Sequence, residues 1–168
     1  MHTDKIIKAT YDDLLTWVQA QKGRLCIARD PLEAIELLTT GPLGFVVILG
    51  FGGDGSGQEG TEDLVTEQKI EVTVGINLGL DFDKGLMLFK TKGTRVNLLR
   101  LFSLCRARVL SLVFPAASED TGQTLRYGGS EAVTMPDGFP LSAYKFSAHL
   151  DAVIETDEPR EAVIEEDA

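Results

Sequence analysis

From Lys69 to Leu78 the chain alternates: Ile70, Val72, Val74, Ile76 and Leu78 are interleaved with Lys69, Glu71, Thr73 and Asn77. Successive side chains of a strand point to opposite faces, so this period of two collects the apolar groups on one side. The pattern predicts a long strand over Thr66 to Leu78 with one wet face. Such a strand belongs to an antiparallel sheet or lies at an edge. Leu141 to Ile154 repeats the theme, with Tyr144, Phe146, Ala148 and Leu150 set against Lys145, Ser147, His149 and Asp151. A further strand is expected over Leu125 to Val133. Pro136-Asp137-Gly138 supplies a turn, since proline presets φ and glycine accepts a positive one, so these two strands should pair as a hairpin. Gly44 to Leu49 is a β-branched and aromatic run of strand length, expected to be buried on both faces. Leu86 to Phe89 is either another strand or a loop packed on the core.

The apolar sheet face needs a cover, and three helices are legible. Thr10 with Asp13 three residues on suggests a capped start, followed by Leu14, Leu15, Trp17 and Val18 and a stop at Gly23. Asp30-Pro31 places a cap residue before a proline at the first helical position, with Leu32, Ile35 and Leu38 on one face and Gly41-Pro42 as the end. Arg95 to Val113 is the strongest helix, with Leu98, Phe102, Cys105, Val109 and Leu112 as its apolar stripe and Pro115 beyond it. Arg100, Arg106 and Arg108 lie elsewhere on its wheel, as a solvated face or a surface for a neighbour's acidic segment. Together these elements describe an α+β domain: a small, mostly antiparallel sheet with a central amphipathic helix and N-terminal helices packed on it, and a C-terminal hairpin.

A length of 168 residues suits one domain, placed here at 1–154, with an acidic, flexible tail at 155–168. From Glu155 to Ala168 seven acids stand against Arg160, so this segment carries −6 of the total −10 and leaves −4 for the body. Affinity for nucleic acid comes mainly from Lys and Arg neutralising phosphates, so this balance argues against a protein that grips DNA. It is compatible with a ring through which a duplex passes without sticking. No apolar run reaches the roughly 18 residues of a membrane span, and no signal peptide is expected. Cys26 and Cys105 lack metal spacing and are expected to be small apolar core residues in a reducing compartment.

Gly50 to Gly60 holds six glycines in eleven residues and is expected to be a mobile loop. It follows a strand, as a dinucleotide fingerprint does, but it carries no Gly-Lys-Ser/Thr, and Asp54, Glu59, Glu62 and Asp63 would repel phosphate. His149 is expected at an exposed strand position, and a Cys105–His149 pair fails because Cys105 falls on the apolar helix stripe. Asp81, Asp83, Asp12 and Asp13 carry no calcium-loop spacing and are expected to be solvated turn residues. No catalytic residue, metal ligand or cofactor is assigned, and the chain is expected not to be an enzyme.

In order, the chain offers N-terminal helices, an apolar strand, a flexible loop, an alternating strand, a central helix and a hairpin. Three segments carry a resemblance: Lys69-Ile-Glu-Val-Thr-Val-Gly-Ile-Asn, Arg126-Tyr-Gly-Gly-Ser-Glu and Gly138-Phe-Pro-Leu-Ser-Ala-Tyr-Lys-Phe-Ser-Ala. Together, over residues 10 to 154, they resemble the tail terminator (tail completion) proteins of long-tailed bacteriophages. The resemblance implies a structural virion protein, assembled in the host cytoplasm and placed at the head-proximal end of the tail. It implies a homohexameric ring that caps the tail tube protein, ends polymerisation and offers a surface to the head–tail connector, with DNA passing through the lumen. The candidate interface residues are Gly52, Gly53, Asp54, Gly55, Glu59, Glu62, Asp63, Asp137 and Gly138. Two other readings stay open: a head-closure or tail-tube subunit, and a small-molecule-binding domain using the glycine-rich loop.

Overall fold

The computed structural model describes residues 3–56, 65–77, 96–115, 122–135 and 141–153. Its elements are α1 (Thr3–Ala20), β1 (Arg24–Ala28), α2 (Pro31–Thr40), β2 (Gly44–Ser56), β3 (Val65–Asn77), α3 (Leu98–Leu110), β4 (Val113–Pro115), β5 (Gly122–Thr124), β6 (Arg126–Ala132) and β7 (Leu141–Val153). Five strands form one sheet in the order β1-β2-β3-β7-β6, and β4 and β5 form a two-stranded ribbon. Among the described residues only β1 and β2 run parallel, and every other pairing is antiparallel. The α+β class holds, as does the hairpin of β6 and β7.

The period of two decides the layers. Ile70, Val72, Val74 and Ile76 of β3 join Phe45, Val47 and Leu49 of β2 and Phe146, Ala148 and Leu150 of β7 in the main core. Ile6, Leu14 and Val18 of α1 and Leu98, Phe102, Cys105 and Val109 of α3 cover that face. On the opposite face Val46, Ile48 and Ala143 meet Leu38 of α2 in a smaller cluster. The alternating register of β2 thus feeds two cores at once, which is why its apolar run is continuous.

β3 is not an edge strand. It lies between β2 and β7, and its second face is dry over Thr73 to Asn77 because α2 rests there. A Cβ on Gly75 would approach Leu38 Cδ2 at 2.8 Å, so glycine lets the helix sit this low. Only the Glu67–Glu71 half of that face meets solvent.

The first helix starts a full two turns before Thr10. Thr10 is buried in line with Ile6, Leu14 and Val18, and its hydroxyl donates to the Ile6 carbonyl at 2.8 Å. A threonine satisfied within its own helix needs no cap role, so the apolar stripe runs straight through it. At the other end Lys22 takes the left-handed conformation (φ 56°), while the Gly23 N–H donates to the Val18 carbonyl at 2.9 Å. Gly23 is required for a different reason: a Cβ there would run into the Phe45 ring.

The second helix starts as the sequence indicates. Asp30 Oδ1 accepts from the Glu33 N–H at 2.8 Å, and Glu33 reaches back to accept from the Arg29 N–H at 2.5 Å. Such a cap is worth about 1 kcal/mol. The buried face differs from expectation. Leu38 is buried as expected, but Leu32 is 68% exposed, and Ala34 and Leu37 complete the docked face. Leu32 lies in the first helical turn, off the Ala34–Leu37–Leu38 line.

β1 and the β4–β5 ribbon have no counterpart in the sequence reading. Each is five residues or fewer, too short for alternation to register. The glycine-rich segment also departs from expectation. β2 continues through Gly50 to Ser56 along β3, with a register shift between Phe51 and Asp54 that leaves Gly52 and Gly53 as a bulge. Gly53 supplies its positive φ of 94°. The long partner β3 holds this stretch by backbone bonds, which need no side chains. Residues 57–64, the Leu86–Phe89 run, the Pro136–Gly138 turn and 154–168 lie outside the described residues.

Candidate functional site

Because β1 pairs with β2 only over Val46 to Gly50, the rest of β2 overhangs. From Phe51 to Ser56 it bonds β3 on one side, and among the described residues no strand pairs with its other edge. Among the described residues nothing pairs with the outer edge of β1 either, so β1 and the overhang form one stepped sheet margin. Ile27 is 56% and Phe51 45% exposed along it, and both flank a shallow apolar depression with Ile7 and Tyr11 of α1. Open edges and exposed apolar side chains are costly to leave bare, and natural sheets blunt them when they have no partner. Gly52, Gly53, Asp54 and Gly55 fall on this overhang. Glu59, Glu62, Asp63, Asp137 and Gly138 lie outside the described residues. The Ile27 and Phe51 positions were missed by the sequence reading. Their only signal was an isoleucine within the short Leu25–Ala28 apolar run and a phenylalanine inside the glycine run.

The uncovered half of the α2 face of the sheet is a charge lattice. Arg126 donates to Glu67 Oε2 at 3.0 Å and to Asp151 Oδ1 at 3.2 Å. Lys145 lies 3.2 Å from Glu131 and 3.7 Å from Glu71, and Glu71 is 3.0 Å from Lys69. His149 belongs to this lattice and is less exposed than expected, with 22% of its side chain accessible. Its Nδ1 is 2.7 Å from Glu67 Oε1 but off the angle of a hydrogen bond. Cross-strand neighbours cover it: Gly128 sits so close to the imidazole that a Cβ there would strike it.

Cys105 faces the main core from α3, whereas His149 shares the opposite sheet face with Arg126, so no thiol–imidazole pair forms. Burial pushes the Cys105 thiol up to about 12 from its ordinary 9.0, which makes it inert as a nucleophile. The linkage has a definite sign. The unfolded thiol ionises near 9.0 while the folded one holds its proton to about 12. The contribution is fully present below pH 9 and is lost between these values at about 1.4 kcal/mol per pH unit. In urea titrations, Cys105→Ala is expected to flatten this alkaline decline relative to the native chain. Parallel limbs would show that the thiol does not titrate this way. Cys26 is only half-buried, against the smaller cluster.

Arg100 is exposed, but the other two arginines of α3 are not simply solvated. Arg108 donates to both Asp13 oxygens at 2.8 Å, tying α3 to α1. Asp13 is thus a helix residue with a partner rather than a turn residue, and Asp12 pairs with Lys8 one turn earlier at 2.6 Å. The Arg106 guanidinium lies 5.3 Å from the Phe102 ring centroid and 5.4 Å from that of Tyr127. The Lys8–Asp12 pair is legible as an i,i+4 spacing; Asp13–Arg108, 95 positions apart, has no signal in a single sequence. Among the described residues no three His, Cys, Asp or Glu converge on a metal geometry, and no helix is long and apolar enough to cross a membrane. No protein-family model matches the chain, and no characterised protein matches its sequence.

Proposed function

We propose that the chain is a structural assembly subunit of the tail-terminator type, which closes into a ring of identical copies and caps a phage tail tube. The observation that carries the reading is the stepped margin of β1 and the β2 overhang, with Ile27 and Phe51 exposed along it. An open edge offers N–H and C=O groups to a neighbour, and the apolar side chains beside it supply the desolvation energy. A heterologous contact of this kind generates a closed ring when its rotation closes, and a filament when it does not. The segment Gly52–Gly55, assigned to the interface from the sequence, lies on the same margin.

Light scattering across a concentration series, alone and with purified tail tubes, tests the proposal. A discrete ring that binds tube ends and halts their growth is expected. Open fibres would favour the tail-tube reading, and a strict monomer that leaves tubes uncapped would sink both.

A further inference from the structure

One row of residues crosses the sheet beneath α2: Ile48 pairs with Thr73, Thr73 with Lys145, and Lys145 with Glu131. Directly paired residues share a face, so the row grades from apolar to hydroxyl to cation to anion. It borders a cavity of about 260 Å³, walled by Ala34, Ile35 and Leu38 of α2 on one side and by Ala132 and Val133 on the other. Thr73 is 5% exposed and lines this cavity. Its hydroxyl can donate to, or accept from, a ligand atom held there. Lys145 is 25% exposed and stands between the carboxylates of Glu131 and Glu71.

We propose that this cavity binds a free α-amino acid with a medium-sized apolar side chain. The carboxylate takes the Thr73 hydroxyl and the Lys145 ammonium. The amino group takes Glu71 and Glu131. The side chain lies against Ile48, Leu38 and Ala34. A zwitterion suits the site because it brings both charges and leaves the balance of this half-buried cluster unchanged, whereas a lone amine or acid shifts it. Pockets of this kind combine apolar walls with a few converging polar groups. Phe51 borders both this cavity and the sheet margin, and ligand binding is read by calorimetry rather than by particle size.

Titration calorimetry and thermal unfolding of the full chain test it, with L-leucine and L-phenylalanine as probes and glycine, isopentylamine and 4-methylpentanoate as controls. Saturable binding of leucine or phenylalanine with a concentration-dependent rise in Tm is expected. The controls should bind at least about tenfold more weakly, as should leucine to Thr73→Val and to Lys145→Met. Should Thr73→Val fail to fold, Ala34→Met, which fills the cavity from the helix wall, serves instead and is expected to abolish binding. The proposal is overturned if neither amino acid gives a saturable signal, if isopentylamine or 4-methylpentanoate binds as well as leucine, or if the cavity variants bind leucine like the native chain.

Discussion

Phe146→Ala is expected to lower the unfolding free energy by about 3–5 kcal/mol and Tm by roughly 10 °C or more. The ring is 1% exposed and sits where three elements meet. It is paired across the sheet with Val72 of β3, and its ring meets Phe102 of α3 edge-on at 5.7 Å between centroids. Phe102 in turn tilts against Tyr144 at 5.8 Å. Removing Phe146 therefore loses transfer energy and one aromatic contact, and it leaves a void between two stiff layers that cannot collapse into it. Urea unfolding measures the loss. A cost below about 1 kcal/mol would mean that α3 does not rest on β7 in the manner described.

The second large effect concerns assembly, and it rests on the proposed ring. Ile27→Lys combined with Phe51→Lys is expected to reduce the particle to the 18.3 kDa subunit, while Tm measured on the dissociated protein changes little. Both side chains are about half exposed, so the fold loses little by their replacement. A ring loses more, because two ammonium groups would be buried against each neighbour and lysine on a strand edge opposes pairing. The native chain is expected to scatter as roughly six subunits, the number that the resemblance implies for a closed ring. A double variant that still forms the native particle would place the interface elsewhere on the molecule.

Much of the sheet was legible because two long strands state their register openly. Ile70 to Ile76 and Tyr144 to Leu150 alternate, and each lands on the face that its spacing predicts. The start of α2 was equally clear, since Asp30-Pro31 is a local signal that tertiary contacts did not override. Failures have a common physical origin. Thr10 looks like a cap until one knows that a helical carbonyl four residues back accepts its hydroxyl. The glycine run looks like a loop until β3 is there to hold it, and the bulge at Gly52–Gly53 arises in the pairing rather than in either strand alone. Thr73 reads as an ordinary wet-face residue, because α2 comes to cover it from 33 to 42 positions earlier in the chain. The candidate surfaces were the least legible part. Edges are defined by which strand is absent beside them, a property of the whole sheet order.

That order has a consequence for synthesis. β3 sits at the centre, yet its thirteen-residue ladder to β7 pairs Val65–Asn77 with Val153–Leu141. While the ribosome is still translating the intervening segment, β3 has one vacant flank and an apolar face without α3. The nascent molecule must wait for β7 before the sheet closes, so its folding should be late and slow rather than progressive. During that interval the vacant flank can recruit a sibling chain in the wrong register. Yield at high expression should therefore depend on chaperone capacity more than on the stability of the finished domain.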